Sequence, residues 1–296
     1  HRENTVFRVQ TAQGPFALRL HRQFYHSENT LRSELQFMAM LASAGMQVPI
    51  PLAARSSDLL HALPTAEGAR FFSMLSWLPG TPLGKSGQSL SMDATQRRHV
   101  FRTLGHDMAQ LHTLADGWLP PADFERPRWD AAGLVGDRPV WGPFWKTDTS
   151  DHDKARLEAA QKAIADHLAS LTDHKPDYGL IHADLVRENV LVNGLRLSFI
   201  DFDDCGFGFR LFDIATALLK NIDEPDFSAL QDCLLQGYSG VRALPGQTEI
   251  HLKWFMAIRA LTYLGWANDR RSEPGMVDRS ARFLATSFRM LQAIGL

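Results

Sequence analysis

Hydrophobic and polar residues in the first eighty positions follow the two-residue period of strands and, over one segment, the longer period of a helix. Apolar runs at 6–9 and 16–20, separated by Gly14-Pro15, predict a hairpin of two strands. Apolar residues spaced by four, three and four positions then predict a helix over 28–44, with its buried face at Leu31, Leu35, Met38 and Ala42. Further strand patterns follow at 59–63 and 71–78. The order strand, strand, helix, strand, strand predicts a small α+β unit.

The pattern changes after Trp77, where five prolines and glycines fall within residues 79–87. Beyond this segment, helical spacing dominates, and helices are predicted at 92–114, 151–171, 210–220, 226–238, 247–268 and 276–294. We therefore expect an N-terminal lobe at 1–79 that ends in a hinge, and a larger, mainly helical lobe at 80–296. A strand pattern follows His1 almost at once, from which we expect the full protein to extend upstream.

Composition narrows the classes of function. Lys and Arg number 31 against 33 Asp and Glu, so the net charge of −2 argues against an electrostatic nucleic-acid binder. No apolar run approaches the length of about 18 residues that suggests a membrane span. Cys205 and Cys233 cannot form a disulfide framework, which favours a reduced, cytoplasmic setting. A small molecule is the expected partner, and the sequence leaves the oligomeric state open.

The candidate chemistry is concentrated between residues 180 and 213. His182-x-Asp184-x4-Asn189 is followed by Asp201-x-Asp203, and apolar runs on both sides of Gly194 predict a tight hairpin that brings Asn189 and Asp201 side by side. Phosphoryl transfer needs a carboxylate that orients the attacking hydroxyl and oxygen ligands for Mg²⁺. Asp184 is the candidate base, and Asn189 and Asp201 are candidate metal ligands. Asp203 is either a second ligand or a loop brace, and His182 is expected to support the loop.

These motifs, together with Phe212-Asp213-Ile214-Ala215, resemble the catalytic and metal-binding segments of the aminoglycoside phosphotransferase and choline kinase superfamily. The resemblance implies a two-lobed α+β fold like that of protein kinases, with a small antiparallel-sheet lobe and a larger helical lobe. It implies ATP and Mg²⁺ as cofactors and a small hydroxyl acceptor, such as an amino alcohol, a hydroxy amino acid or a sugar-like molecule. It also implies that Asp213 braces the active-site loops.

The same resemblance implies a nucleotide site in the N-terminal lobe. A cation on a strand, paired with a glutamate on the next helix, should hold the phosphates. The expected lysine is replaced by Arg19, and Glu34 is its candidate partner. No glycine-rich phosphate loop is present, so Asn4 and Thr5 are expected to cover the phosphates. The remaining candidates form the adenine hinge and the floor of the site, namely Met74, Leu75, Ser76, Leu191 and Ile200.

Aromatic residues suggest an acceptor site and leave two interpretations open. Four of the seven tryptophans lie within the irregular segment 116–149, and more aromatic residues follow on the helix predicted at 247–268. They either fill a core or wall an acceptor pocket, where aromatic faces would attract a cationic amine. The candidates for acceptor contact are Asp204, Trp141, Trp145, Tyr263 and Trp266, with Trp254 as a further aromatic residue.

Two other functions are alternatives to a small-molecule kinase. Asp201 and Asp213 are twelve positions apart, and no Ala-Pro-Glu motif lies between them, although a typical protein kinase needs a longer activation segment for a peptide. A bacterial-type Ser/Thr protein kinase of the same superfamily is thus the main alternative. A nucleotide-binding pseudokinase scaffold is less favoured, because the candidate base and metal ligands are all present.

Overall fold

The computed structural model describes residues 4–66, 68–172 and 177–296. Within these ranges, the small lobe consists of one five-stranded antiparallel sheet and one helix. Its elements in chain order are β1 (Thr5–Thr11), β2 (Gly14–Leu20), α1 (Glu28–Ser43), β3 (Pro51–Leu52), β4 (His61–Thr65) and β5 (Gly68–Ser76). The strand order is β1-β2-β5-β3, with β4 also pairing with β5. This is the order of elements that the hydrophobic pattern predicts, with the two-residue strand β3 added.

The hairpin turn lies slightly earlier than predicted. Thr11 pairs with Gly14, so Ala12 and Gln13 form the loop, and Gly14-Pro15 already belongs to β2. Gly14 has a φ of 114°, which only glycine adopts readily, and this conformation lets β2 start directly after the loop. On α1, the side chain of Ser27 accepts a hydrogen bond from the Thr30 backbone N–H, so the helix begins at a capped end.

The large lobe contains seven helices and two small sheets in the part of the chain that the structure describes. Its elements are β6 (Thr81–Pro82), α2 (Ala94–Gly117), β7 (Arg128–Trp129), α3 (Ala131–Val135), α4 (Asp151–Thr172), β8 (Tyr178–Ile181), β9 (Val190–Asn193), β10 (Arg196–Phe199), β11 (Gly206–Phe209), α5 (Arg210–Leu219), α6 (Phe227–Ser239), α7 (Thr248–Asn268) and α8 (Met276–Gln292). One sheet has the order β10-β9-β6 and the other β7-β11-β8.

Two glycines allow α2 and α6 to cross in close contact. A Cβ atom on Gly105 would lie 1.9 Å from the Leu234 carbonyl oxygen, and one on Gly237 would lie 1.9 Å from the Arg102 carbonyl oxygen. Neither position has room for a side chain, so the absence of Cβ permits the backbone contact. Every residue of α5 is buried, which makes this helix the centre of the large lobe.

The proline- and glycine-rich segment after Trp77 is tied to the large lobe. β6 pairs with β9, Thr81 opposite Val192 and Pro82 opposite Leu191. The Leu83 backbone N–H also donates to the Val190 carbonyl at 2.7 Å. The division of the chain at residue 79 stays a prediction.

Candidate active site

The three residues central to the predicted chemistry lie together at the ends of short strands. Asp184 follows β8, Asn189 directly precedes β9, and Asp201 follows β10. The β9–β10 hairpin brings Asn189 and Asp201 together, because the Ile200 N–H donates to the Asn189 carbonyl at 3.0 Å. The Asn189 Nδ2 donates to the Asp184 carbonyl at 2.9 Å and to Asp184 Oδ2 at 3.0 Å. The Asn189 side-chain oxygen is thereby directed away from Asp184.

Asp213, on the buried helix α5, holds the loop that carries Asp184. Its carboxylate accepts hydrogen bonds from the backbone N–H groups of His182 at 2.9 Å and Ala183 at 2.7 Å, and from His112 Nε2 at 3.0 Å. Ala183 has a φ of 65°, an uncommon conformation for a residue with a Cβ, and the two N–H bonds to one carboxylate stabilise it. Burial raises the carboxyl pKa, but the bond and charge of His112 together with the charge and backbone N–H of His182 outweigh it and hold the pKa of Asp213 below its usual value.

His182 connects the base loop to the loop of the candidate metal ligands. Its Nε2 lies 3.1 Å from the Ile200 carbonyl, and its Nδ1 accepts from the Asp184 N–H at 3.3 Å. Burial lowers the pKa of His182, so the ring is neutral with its proton on Nε2.

Arg259, on α7, contacts the candidate base, and no sequence motif indicated it. Its Nη2 lies 2.6 Å from Asp184 Oδ1, and its side chain is fully buried while that of Asp184 is 20% exposed. The guanidinium carbon lies 4.3 Å from the ring centroid of Trp141 and 4.5 Å from that of Tyr263. The two carboxylate oxygens of Asp184 are therefore held by two different side chains, Arg259 and Asn189.

A second arginine links the loop of the candidate metal ligands to the small lobe. Arg126 donates from Nε to the Cys205 carbonyl at 2.6 Å and from Nη1 to the Thr30 carbonyl at 3.0 Å. It also donates to the carbonyls of Phe202 and Asp203. Like Arg259, it lies far in sequence from the residues it contacts and belongs to no short motif.

Arg19 and Glu34 form an ion pair across the small lobe. Arg19 Nη2 lies 2.6 Å from Glu34 Oε1, with side chains 4% and 0% exposed. Burial alone would raise the pKa of Glu34, but the charge and hydrogen bond of Arg19 together with the charge of Arg126 outweigh it, and the pKa lies below its usual value. Arg19 also lines the cleft between the lobes.

Six carboxylates of the described residues line this cleft, and they include the four candidate site residues Asp184, Asp201, Asp203 and Asp204. Burial, followed by the charge of Asp203, raises the pKa of Asp201 to about 8, and burial followed by Asp184 raises that of Asp204 to about 7. Asp203 Oδ1 is buried and accepts no hydrogen bond from any described residue. A buried carboxylate oxygen without a donor, among other carboxylates, fits a hard divalent cation bound by oxygen ligands.

The cleft has a volume of about 1170 Å³, and most of the predicted nucleotide residues line it. These are Asn4, Arg19, Leu75, Ser76, Leu191 and Ile200. Asn4 Oδ1 accepts from the Arg22 N–H at 2.8 Å, whereas Thr5 lies outside the lining and pairs with Leu20 in the β1–β2 ladder. Met74 also lies outside it.

The predicted acceptor residues divide between the cleft and the core. Trp141, Asp204, Tyr263 and Trp266 line the cleft, and Trp141 Nε1 donates to Asp204 Oδ1 at 3.0 Å. Trp145 does not line it, because its ring packs edge-on against Phe144 in a short 3₁₀ turn. Trp254 stacks on His167 of α4 instead, with ring centroids 4.2 Å apart.

Comparisons with known proteins agree with this geometry. A homoserine kinase of Xanthobacter autotrophicus is 32% identical over 273 residues, covering 88% of this chain and 76% of the relative. A microcompartment-associated aminopropanol kinase superposes with a TM-score of 0.80 at 27% identity, covering 99% of this chain and 94% of that one. An amicoumacin kinase in complex with AMP-PNP and Ca²⁺ has the same fold, with a TM-score of 0.79 at 19% identity, covering 98% of this chain and 86% of that one.

The predicted superfamily, the two-lobed kinase-like fold and the activity of a small-molecule phosphotransferase are confirmed by these likenesses. Among the described residues, no helix is long and apolar enough to cross a membrane. The family's sequence model matches residues 1–250. The chain therefore belongs to the phosphotransferase enzyme family.

Proposed function

We propose that the protein transfers the γ-phosphoryl group of ATP, bound with Mg²⁺, to a hydroxyl of a small molecule that also carries an amino group. The observation that carries this proposal is the meeting of Asp184, Asn189 and Asp201 on one wall of the cleft. Arg19 lines the same cleft from the small lobe. In-line transfer needs little more than these positioned charges.

Asp184 is the proposed base. The acceptor oxygen forms a bond to the γ-phosphorus while the bond from that phosphorus to the β–γ bridging oxygen breaks. The hydroxyl proton passes to the Asp184 carboxylate, and ADP leaves. Because Asn189 and Arg259 each hold one oxygen of this carboxylate, its orientation toward the acceptor is fixed before the acceptor binds.

Asn189 and Asp201 are the proposed metal ligands, and Asp203 is proposed as a further ligand because one of its oxygens is buried without a donor among the described residues. Mg²⁺ at this position would neutralise charge on the phosphates during transfer. Arg19, oriented by Glu34, would bind the phosphates, and Asn4 lies on the same side of the cleft. The adenine would lie between the hinge at Leu75 and Ser76 and a floor of Leu191 and Ile200.

Asp204 and Trp141 are the residues that favour an acceptor with an amino group. A carboxylate bonded to an indole N–H in a cleft wall can accept an ammonium group. The names of the similar homoserine kinase and aminopropanol kinase point the same way, since homoserine and aminopropanol both combine an amine with a hydroxyl. The buried, free thiols of Cys205 and Cys233 favour a reducing, cytoplasmic location.

The proposal is tested by ADP release with amino alcohols, hydroxy amino acids and aminosugars. We expect turnover with a subset of them, and a loss of about 10²- to 10⁴-fold in kcat in Asp184→Ala with nucleotide affinity nearly unchanged. Asp166→Ala, on the exposed side of α4, is the matched control and should behave as wild type. Turnover retained by Asp184→Ala would refute the assignment of the base. Activity toward protein substrates alone would support the protein-kinase alternative instead.

A further inference from the structure

Three cations at the helices α5 and α8 line the cleft. Lys220 follows α5 directly, and Arg279 and Arg282 lie three positions apart on α8. Tyr263 and Phe283 also line the cleft. These three cations belong to the large lobe, whereas Arg19, the cation proposed for the nucleotide phosphates, belongs to the small lobe.

Lys220 is held at aromatic surfaces without a carboxylate. Its Nζ lies 3.6 Å from the ring centroid of Tyr263 and 5.1 Å from that of Phe283. No carboxylate within the described ranges lies within 4.0 Å of Nζ. A partly buried ammonium group usually has an anionic partner, because removing a charge from water is costly. Since Lys220 lines the cleft, an anionic group of a molecule bound in the cleft can contact it.

Charges of both signs act on Lys220. Burial, followed by the charge of Arg259 and then by that of Arg279, lowers the pKa of Lys220 to about 8, and Asp184 and Glu188 act in the opposite direction. The group is therefore still charged at neutral pH.

Asp223 also lines this region, but its Oδ1 accepts from Arg289 Nη1 at 2.6 Å. That carboxylate is thus already paired with an arginine outside the cleft lining. Arg279 and Arg282 are both exposed, and neither has an ion-pair partner among the described residues.

Groups of opposite charge therefore line the acceptor space. Asp204 accepts from Trp141 Nε1, Lys220 Nζ lies over the ring of Tyr263, and Asp184 lines the same cleft. We infer that the acceptor carries an anionic group in addition to its hydroxyl, and that Lys220 binds this group while Arg279 and Arg282 attract it from solvent. The inference rests on the proposed function and deepens it. The anion can be a carboxylate or a phosphonate or phosphate group, since all three suit an ammonium partner.

Matched acceptor pairs test this inference. Homoserine and 3-aminopropan-1-ol differ only by the carboxylate, and serine and ethanolamine form a second such pair. We expect kcat/KM to be about 10- to 100-fold higher for the anionic member of a pair, in line with the strength of a hydrogen bond to a charged group. The phosphonate analogue of homoserine, compared with homoserine itself, identifies which anion is preferred.

Lys220→Met should remove this preference by lowering kcat/KM for the anionic members while leaving the neutral members and the KM for ATP unchanged. Lys162→Met, at an exposed position of α4, is the matched control. Arg279→Gln with Arg282→Gln should have a smaller, salt-sensitive effect, because these side chains are exposed.

Two outcomes would overturn the inference, and a third would refute the proposed function on which it rests. Wild-type enzyme that phosphorylates both members of every pair equally would be the first. A Lys220→Met variant that loses activity equally with both members, or whose KM for ATP rises, would assign Lys220 to the phosphoryl donor. Wild-type enzyme inactive with every acceptor would instead refute the proposed function.

Discussion

Arg259→Met removes the cation that holds the candidate base while keeping a side chain of similar length. Arg259 is fully buried and its Nη2 lies 2.6 Å from Asp184 Oδ1, so the substitution leaves one oxygen of Asp184 without its strongest partner. Asn189 still donates to the other oxygen at 3.0 Å. The carboxylate therefore stays in the cleft but can rotate.

The effect on stability follows from the burial of the two groups. Removing one partner of a buried ion pair costs about 3–5 kcal/mol in the free energy of unfolding. Asp184 is 20% exposed and its charge can reach water, so the loss should lie near the lower end, at about 3 kcal/mol. The lost contacts of the guanidinium with Trp141 and Tyr263 are partly replaced, because methionine also packs well against aromatic rings.

The effect on catalysis should be larger than the effect on binding. A displacement of the base by about 1 Å can lower the rate by about 10²-fold, so kcat should fall by about that factor while the KM for ATP stays unchanged. Arg259→Lys keeps the charge but not the planar group and should fall between wild type and Arg259→Met. The assay is steady-state ADP release, with thermal unfolding measured on the same preparations.

Two results would refute this reasoning. If kcat in Arg259→Met equals that of wild type in a folded protein, Arg259 does not position the base. If instead the KM for ATP rises and kcat is unchanged, Arg259 acts on the nucleotide.

Three further predictions concern other parts of the site. Asp213→Asn removes the negative charge that accepts from three donors. It should lower the free energy of unfolding by about 2–4 kcal/mol, measured by chemical unfolding, and lower kcat at least tenfold, measured by ADP release. An unchanged kcat would contradict the bracing role of Asp213. Glu34→Gln should weaken nucleotide binding and destabilise the protein by about 3 kcal/mol. The control Asp58→Asn breaks a surface pair with Arg32 and should cost less than about 1 kcal/mol. Calorimetry measures both, and equal effects would count against the role of Glu34 as the partner of Arg19. The KM for an anionic acceptor should rise above pH 8, because Lys220 loses its proton near that pH in the folded state. Burial of the charged Lys220 lowers the stability of the folded protein below pH 8, and this penalty is relieved as the pH rises toward 10.5. A KM that does not vary with pH, and that Lys220→Met does not change, would exclude the contact.

The hydrophobic pattern predicts most of the fold because each long element carries its own period. The helix at Glu28–Ser43 and the last four helices lie within a few residues of their predicted positions. The two-residue strands β3, β6 and β7 are too short to show a period, so they could not be predicted. Each of them forms only by pairing with a strand from another part of the chain.

The candidate site was predictable only where its residues are close in sequence. Asp184, Asn189 and Asp201 fall within eighteen positions, so a hairpin pattern was enough to bring them together. Arg259 meets Asp184 across 75 positions, and Arg126 meets Cys205 across 79. Only tertiary packing creates these contacts. The sequence likewise could not separate Trp141 from Trp145, because the side of the chain that faces the cleft depends on a short 3₁₀ turn.

The residues that α8 contributes to the cleft indicate how the acceptor specificity of this enzyme can be altered. This last helix supplies Arg279, Arg282, Phe283 and Thr286 to the cleft but none of the residues proposed as base or metal ligands. It is anchored by buried residues on its other side, among them Met276, Ser287, Met290 and Leu291. New acceptor specificities can therefore be sought by varying one terminal helix, with the phosphoryl-transfer residues left intact. Selection during evolution would have had the same freedom.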